Sequence, residues 1–407
     1  MGGIVMHFRR VLAGYVWAAV LCGMVSTMAM ASEGVFLLGN DAQHLGRAGS
    51  GIASPRSSYW SYLNPASMVD LERRLDVNWY SVFTDVELEP RGLLGNRLNG
   101  DMESTLAPNI FSSGFIYPLE VGVLGGGIFI PSGSGVDYEG SRTWFSRIFQ
   151  GNTDRRLSYQ HIRGVLSYAY PFDNGWAIGA SLHGSISRFR TDHLTLSFNP
   201  CRGDFEWDSS LGAGFGLGIY KSWERFSIGA AYSSRHWTET MDKYTDLLAN
   251  ALDTPWVVQA GFAWKLRPNL EFTADYKWLN WKAIPSYGKP LSKGGFNWDD
   301  QHGVKLGLEW TVHPKWTLMG GFAHSTTPID EDHAFLSALV PVTVEDHYTG
   351  GVTYRITDHH HVHLVGVYAP HHAITDTGKG DIFSVVGKGS TISASALSFC
   401  LGYSYLW

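Results

Sequence analysis

From about residue 72 to the carboxyl end, apolar and polar positions alternate every second residue. The alternation falls in fourteen segments, starting near 73, 108, 121, 155, 176, 208, 226, 255, 270, 300, 315, 344, 361 and 391. Trp176, Ile178, Ala180 and Leu182 oppose Ser181, His183, Ser185 and Ser187. Trp256, Val258, Ala260, Phe262 and Trp264 oppose Gln259, Gly261 and Lys265. Leu270, Phe272, Ala274, Tyr276 and Trp278 oppose Glu271, Thr273, Asp275 and Lys277. Period two predicts β-strands with one apolar face. The final strand, LSFCLGYSYLW, sets Leu397, Phe399, Leu401, Tyr403, Tyr405 and Trp407 on a single side. Soluble proteins avoid an exposed aromatic row of this kind, whereas a strand with one face in lipid requires it.

The connections carry a second regularity. Tight turns at Pro118 to Glu120, Asp173 to Gly175, Ser222 to Glu224, Arg267 to Asn269 and His313-Pro314 alternate with longer stretches at 131–154, 240–254, 283–299 and 328–342. Short turns on one side and long loops on the other is how bacterial outer-membrane barrels are built. The predicted fold is therefore all-β, a transmembrane antiparallel β-barrel of about fourteen strands. The roughly 336 residues from 72 onward allow about 24 per strand, enough for about ten in the membrane and one connection.

The first 31 residues read differently. Arg9 and Arg10 precede the apolar stretch Val11 to Val25, and Ala29-Met30-Ala31 fits a small-x-small cleavage site, as expected of a signal peptide. The predicted organisation is 1–31 signal peptide, 32–71 an amino-terminal plug without alternation, and 72–407 barrel. The expected localisation is the bacterial outer membrane, reached by export through the cleaved leader. Outer-membrane lipid and the barrel-insertion machinery are expected partners, the latter because the chain ends on an aromatic residue.

Composition narrows the function classes. The formal charge of −6 becomes −8 once the two leader arginines are removed, so there is no basic bias toward nucleic acid. Beyond the leader no apolar run approaches the roughly 20 residues of a membrane helix. The 16 Trp, 19 Tyr and 21 Phe instead suit aromatic girdles. Cys201 is expected in an external loop and Cys400 at mid-strand facing the lumen, so no disulfide is predicted. His359, His360, His361 and His363 fall in a predicted periplasmic turn, and no functional metal is expected there. The glycines of LGAGFGLG (Leu211 to Gly218) recur in twos within a strand, opposite Leu211, Ala213, Phe215 and Leu217. They thin the lumen wall rather than form a dinucleotide loop. No G-x-S-x-G elbow is present; neither cofactor nor enzymatic activity is expected.

The non-alternating segment carries a resemblance. LGRAGSG (Leu45 to Gly51), then a Ser-containing stretch, then Asn64-Pro65-Ala66 with Met68, resembles the amino-terminal hatch of the FadL/TodX-type outer-membrane transporters. The turn at His313-Pro314-Lys315 followed by WTLMGGFAHSTTP, ending at Pro328, resembles that family's late strand pair. The resemblance spans nearly the whole mature chain. It implies passive uptake of long-chain fatty acids or similar hydrophobic molecules through a barrel plugged by a hatch, here Gly46, Arg47, Gly49, Gly51, Asn64, Pro65 and Ala66. It also implies a distorted third strand through which ligand leaves sideways. Gly125, Gly126, Gly127 and Pro131 stand at the matching place, since glycine runs and proline weaken strand pairing; equally, those glycines make space for the hatch. The external loops around Asn199 to Glu206 and 240–254 are shorter than in fatty-acid transporters of the family, so initial capture and substrate are open.

By strand parity Arg163, Lys277 and Lys305 face the lumen beside Asp275 and Glu309. A fatty carboxylate in a dry lumen needs a charged partner, because leaving it unpaired costs several kcal/mol. These cations are the candidate headgroup ligands, with ion pairing across the lumen as the structural alternative. Three other functions stand beside fatty-acid uptake: transport of uncharged aromatic hydrocarbons, a polar-solute porin, and a membrane-embedded lipid-modifying enzyme.

Overall fold

The computed structural model describes residues 33–92, 101–138, 155–192, 205–244, 248 and 250–407. The expected leader and Cys201 lie outside the described residues. Among those described, the antiparallel strands follow one another around a single sheet, and the last pairs with the first. They are β1 (Arg74–Glu89), β2 (Met102–Leu106 and Asn109–Pro118), β3 (Val123–Tyr138), β4 (Arg155–Pro171) and β5 (Trp176–Asp192). Next come β6 (Asp208–Ser222), β7 (Phe226–Ser233 and Trp237–Thr238), β8 (Val257–Arg267) and β9 (Leu270–Leu279). The circuit ends with β10 (Gln301–His313), β11 (Trp316–Ser325), β12 (Asp346–Arg355), β13 (His360–Thr375) and β14 (Thr391–Leu406). The register from Arg74↔Leu406 to Glu89↔Thr391 closes a fourteen-stranded barrel. Pairing carried around the circuit is what permits β structure to span a membrane. No described helix is long and apolar enough to do so.

The faces follow parity. Val77, Trp79 and Phe83 of β1 are exposed, while Asp76, Asn78, Tyr80 and Val82 are buried. On β14, Leu397, Phe399, Leu401 and Tyr403 face outward, and Ser398, Cys400 and Ser404 are buried. The expected tight turns all fall between consecutive strands on the periplasmic side.

Two boundaries differ from the alternation pattern. Strand β2 begins at Met102, not near 108; Ala107-Pro108 divides it, because proline has no N–H to give to a ladder. The expected loop from 131 is strand as far as Tyr138. Its residues Phe129 to Val136 are all buried, so the stretch has no lipid face and no apolar alternation to betray it.

Residues 33–71 lie inside the barrel. They form three short helices, α1 (Ala42–Leu45), α2 (Trp60–Leu63) and a 3-10 turn at Pro65–Asp70. At the external end, Trp281 and Trp298 are fully buried with Tyr287, Ile284, Leu279 and Ile329 in one apolar cluster, which Val35 and Phe36 join from below.

Candidate functional site

The amino-terminal segment is fastened to the wall by buried polar contacts. Asp41 caps α1 through the backbone N–H groups of Gln43 and His44, and Asn78 of β1 donates to Asp41. Burial and then the nearby Asp76 raise the Asp41 carboxyl to about 6. The Ile52 N–H donates to Asp275 Oδ2 (2.8 Å), and Ser58 N–H to Asp76 Oδ2 (2.6 Å). Arg56 bridges Glu271 (2.6 Å) and Glu309 (3.0 Å). These contacts are charge-assisted, hence stronger than average.

The LGRAGSG and NPA motifs occupy this packing. Gly46 lies against Met319, where a Cβ would come 2.9 Å from its sulfur. Gly49 and Gly51 have φ of 72° and 102°, the left-handed region open to glycine. Arg47 is fully buried and donates to both Ser54 oxygens and to the Gln43 carbonyl. Asn64 donates to the carbonyls of Ile52 (3.1 Å) and of Ile219 on β6 (3.3 Å), and accepts from Ala66 N–H. Pro65 opens the 3-10 turn. The inward glycines of β6 are the counterpart: a Cβ on Gly218 would sit 2.1 Å from Asn64 Oδ1, and one on Gly214 would strike His236.

The wall is broken between β2 and β3. Their ladder runs only from Pro118↔Val123 to Ser113↔Ile128. Gly125, Gly126 and Gly127 lie within that ladder, paired on both sides, and Gly125 clears space for Met68 and Ser61 of the amino-terminal segment. Beyond Ile128, β3 turns inward through an irregularity against β4 between Phe129 and Ser132, with Pro131 at its centre. The edge that β2 would have paired is taken by the chain's own residues 35–37. Leu37 N–H donates to the Pro131 carbonyl (2.9 Å), and Gly133 N–H to the Val35 carbonyl (2.9 Å). Asn40 adds side-chain and backbone contacts to Ile130 N–H and Ser112. An unpaired edge accepts any extended segment with free amides.

The three predicted cations divide. Lys277 and Lys305 both pair with Glu33, Lys305 at 2.8 Å. Burial alone would raise the Glu33 carboxyl, but Lys277 and then Lys305 overcome it and hold it at about 2. Arg163 lies elsewhere and is fully buried. It donates to Thr254 Oγ1 (3.2 Å), contacts His161 Nε2 (3.1 Å) and faces the Tyr62 ring. Among the described residues no carboxylate lies within 4 Å of it. His236, brought inward where β7 is interrupted, stacks on His183 and meets His161 edge-on. His236 Nε2 and His183 Nδ1 have no partner among the described residues. Parity alone does not find Glu33, Tyr62, Thr254 or His236, because none stands in a clean alternating run. Glu33 does carry one signal, a lone acid before the apolar run Val35 to Leu38.

Between these groups lies a cavity of about 40 Å³, lined by Phe36, Leu38, Tyr59, Tyr62, Val257 and Lys277. A water's share of liquid volume is about 30 Å³, so the cavity has room for little more than a water. Of the histidines expected in a turn, only His359 lies in the β12–β13 turn, bonded to the Leu406 carbonyl; His360, bonded to the Tyr403 hydroxyl, His361 and His363 belong to β13. His363 points inward between Thr353 and Ser404.

A family model described as outer membrane protein transport protein (OMPP1/FadL/TodX) matches residues 22–405. The chain belongs to this family. It is a family of outer-membrane transporters of hydrophobic compounds, and the membrane assignment from alternation agrees with it. Solved relatives share the fold at low identity. A Pseudomonas aeruginosa FadL homologue is 13% identical with a TM-score of 0.67. The P. putida toluene transporter TodX is 15% identical (0.69), and the Ralstonia pickettii toluene transporter TbuX 17% (0.66). Each alignment covers 91% of this chain and 99% of the other. Among curated protein sequences none matches.

Proposed function

We propose that this FadL/TodX-family member passively carries long-chain fatty acids or chemically similar hydrophobic acids. In this reading residues 33–71 act as a movable hatch, and ligand leaves sideways through the break between β2 and β3. The observation that carries the reading is the withdrawal of β3 beyond Ile128, with the exposed edge covered by residues 35–37 of the amino-terminal segment and by Asn40. A short three-residue pairing opens more readily than a long strand ladder. Displacing it joins the lumen to the membrane without breaking any barrel strand pair. Burying about sixteen methylenes at about 0.8 kcal/mol each makes entry favourable, so release is the difficult step. A lateral exit into lipid removes it, because the tail never returns to water.

Arg163 supports an acidic ligand. A buried guanidinium without a carboxylate is costly, and an incoming carboxylate offsets that cost while Tyr59 and Tyr62 cover the tail. The test is equilibrium binding to the mature protein in detergent of a long-chain fatty acid, the alcohol of equal length, and toluene. Acid binding should exceed that of the alcohol and fall at least about tenfold in Arg163→Gln, the worth of one hydrogen bond to a charged group. Unchanged acid binding in Arg163→Gln would refute the headgroup assignment.

A second reading, uptake of uncharged aromatic hydrocarbons, draws support from Glu33, which already pairs with both Lys277 and Lys305. It predicts that toluene competes with the acid and that Arg163→Gln binds toluene normally.

A further inference from the structure

Above the apolar belt, one sector of the outer wall changes character. On β5 the outward residues are the even ones: Ile178, Leu182 and Ile186 are 48%, 71% and 44% exposed. From Trp176 to Ile186 is ten residues, about 33 Å along the strand, or about 25 Å of height at a tilt of about 40°. That is the full height of a lipid-facing band, so Arg188 and Arg190, next on the same face, stand at the level of the outer leaflet's headgroups. On β6 the outward residues are odd, with Leu211, Phe215 and Leu217 exposed; Trp207 lies just beyond them, and Phe205 joins it through its contacts with Arg156 and Arg190.

These side chains form one assembly. Arg188 lies over the Trp207 ring at 4.5 Å and Arg190 over it at 4.4 Å. Arg190 and Arg156 of β4 each lie 4.1 Å from the Phe205 ring. Three guanidiniums thus share two aromatic rings, close enough to repel one another, with Asp137 of β3 offsetting part of their charge. Arg190 Nε has no hydrogen-bond partner among the described residues. The planar guanidinium fork suits bidentate recognition of phosphate, and stacking on a ring limits its rotation. Directly below, Leu182, Ile186, Leu211 and Phe215 present a surface for acyl chains. At the periplasmic end of the same sector Lys221 lies 5.1 and 5.0 Å from the rings of Trp176 and Trp223.

We propose that Arg156, Arg188 and Arg190, stacked on Phe205 and Trp207, form a binding site for a phosphorylated glycolipid of the outer leaflet. The site lies on the outer surface of the barrel and is separate from the lumen, so it does not depend on the transported ligand. Its cations take the phosphates, and the apolar surface below takes the acyl chains.

The test is native mass spectrometry of the full mature protein, stripped of lipid in detergent and then offered bisphosphorylated lipid A. Dephosphorylated lipid A and phosphatidylglycerol are the comparison lipids. One lipid A per barrel should be retained, at least about tenfold more tightly than either comparison lipid. The triple substitution Arg156→Gln, Arg188→Gln, Arg190→Gln should abolish that preference. The triple Lys variant should keep part of it, since charge remains while the bidentate fork is lost. Folding of each variant is checked by its heat-modifiable gel mobility, and Lys221→Gln should bind as the parent does. Undiminished retention by the triple Gln variant overturns the proposal. So does equal retention of phosphatidylglycerol, or a matching loss in Lys221→Gln.

Discussion

Glu33→Gln tests what holds the amino-terminal segment in place. The substitution keeps the side chain's size and one acceptor oxygen while removing its charge. Glu33 is fully buried and serves buried Lys305 and half-buried Lys277, so little solvent screens the interaction. Holding the carboxyl at about 2 against an ordinary 4.5 corresponds to a preference for the charged form of about 3 kcal/mol. Removing one partner of a buried ion pair costs a similar amount, about 3–5 kcal/mol. Docking of residues 33–38 should weaken by about 3 kcal/mol, which raises the population of the locally open state roughly a hundredfold. Amide hydrogen exchange of the protein in detergent at pH 7 measures this. Peptides covering 33–40 should exchange about two orders of magnitude faster, while those from β5, which Glu33 does not touch, stay unchanged. The pH dependence has a defined sign. A carboxyl whose folded value is lowered contributes stability that is complete above about 4.5 and lost as pH falls toward 2. After correction for intrinsic rates, the parent protein near pH 2 should therefore approach the variant. Equal protection of 33–40 in both proteins at pH 7 would show that the lysine pair is no tether, and the reasoning would fail.

Two further outcomes follow from the geometry. Phe36 and Ser132 face each other as a non-hydrogen-bonded antiparallel pair, because the flanking bonds run from Leu37 to Pro131 and from Gly133 to Val35. Such pairs have Cα atoms about 4.5 Å apart, within disulfide range. Phe36→Cys with Ser132→Cys should oxidise readily and block fatty-acid uptake into cells, with reductant restoring it; normal uptake by the fully oxidised protein would exclude movement at this edge. Gly218→Ala drives a Cβ to 2.1 Å from Asn64 Oδ1 and should weaken docking of the NPA turn by about 1–3 kcal/mol. Faster exchange or proteolysis at 60–70, with the barrel's gel mobility unchanged, is the expected reading, and an unaltered digestion pattern would contradict it.

Most of the barrel was legible because its rule is local. A strand between lipid and lumen alternates whatever its neighbours are, so Trp176 to Ser187 or Leu270 to Trp278 declare themselves without tertiary information. The periplasmic turns follow from the same pattern by subtraction. Parity also sent Arg163, Lys277 and Lys305 inward, since the face opposite an exposed row must point to the lumen. Parity cannot say what those cations meet. That Lys277 and Lys305 are held by Glu33 while Arg163 meets Thr254, His161 and Tyr62 depends on how residues 33–71 fold within the barrel, and no periodicity encodes it.

The stretch Pro131 to Gly135 shows why the break itself stayed hidden. PSGSG reads as a loop, and a loop it would be if it stood in the wall, where serine and glycine offer lipid nothing. Drawn inside, the same residues suit a strand buried on both faces, because small side chains let residues 35–37 approach on one edge and β4 on the other. The pairing joins positions almost a hundred residues apart, and its hydrogen bonds are made by backbone, which carries no sequence signature. Substituting Ser132 or Ser134 by leucine would restore a lipid-compatible pattern to the sequence while crowding the lumen. The small polar residues thus have a structural reason independent of any turn: they keep β3 out of the membrane, and so keep the wall broken where residues 35–37 cover it.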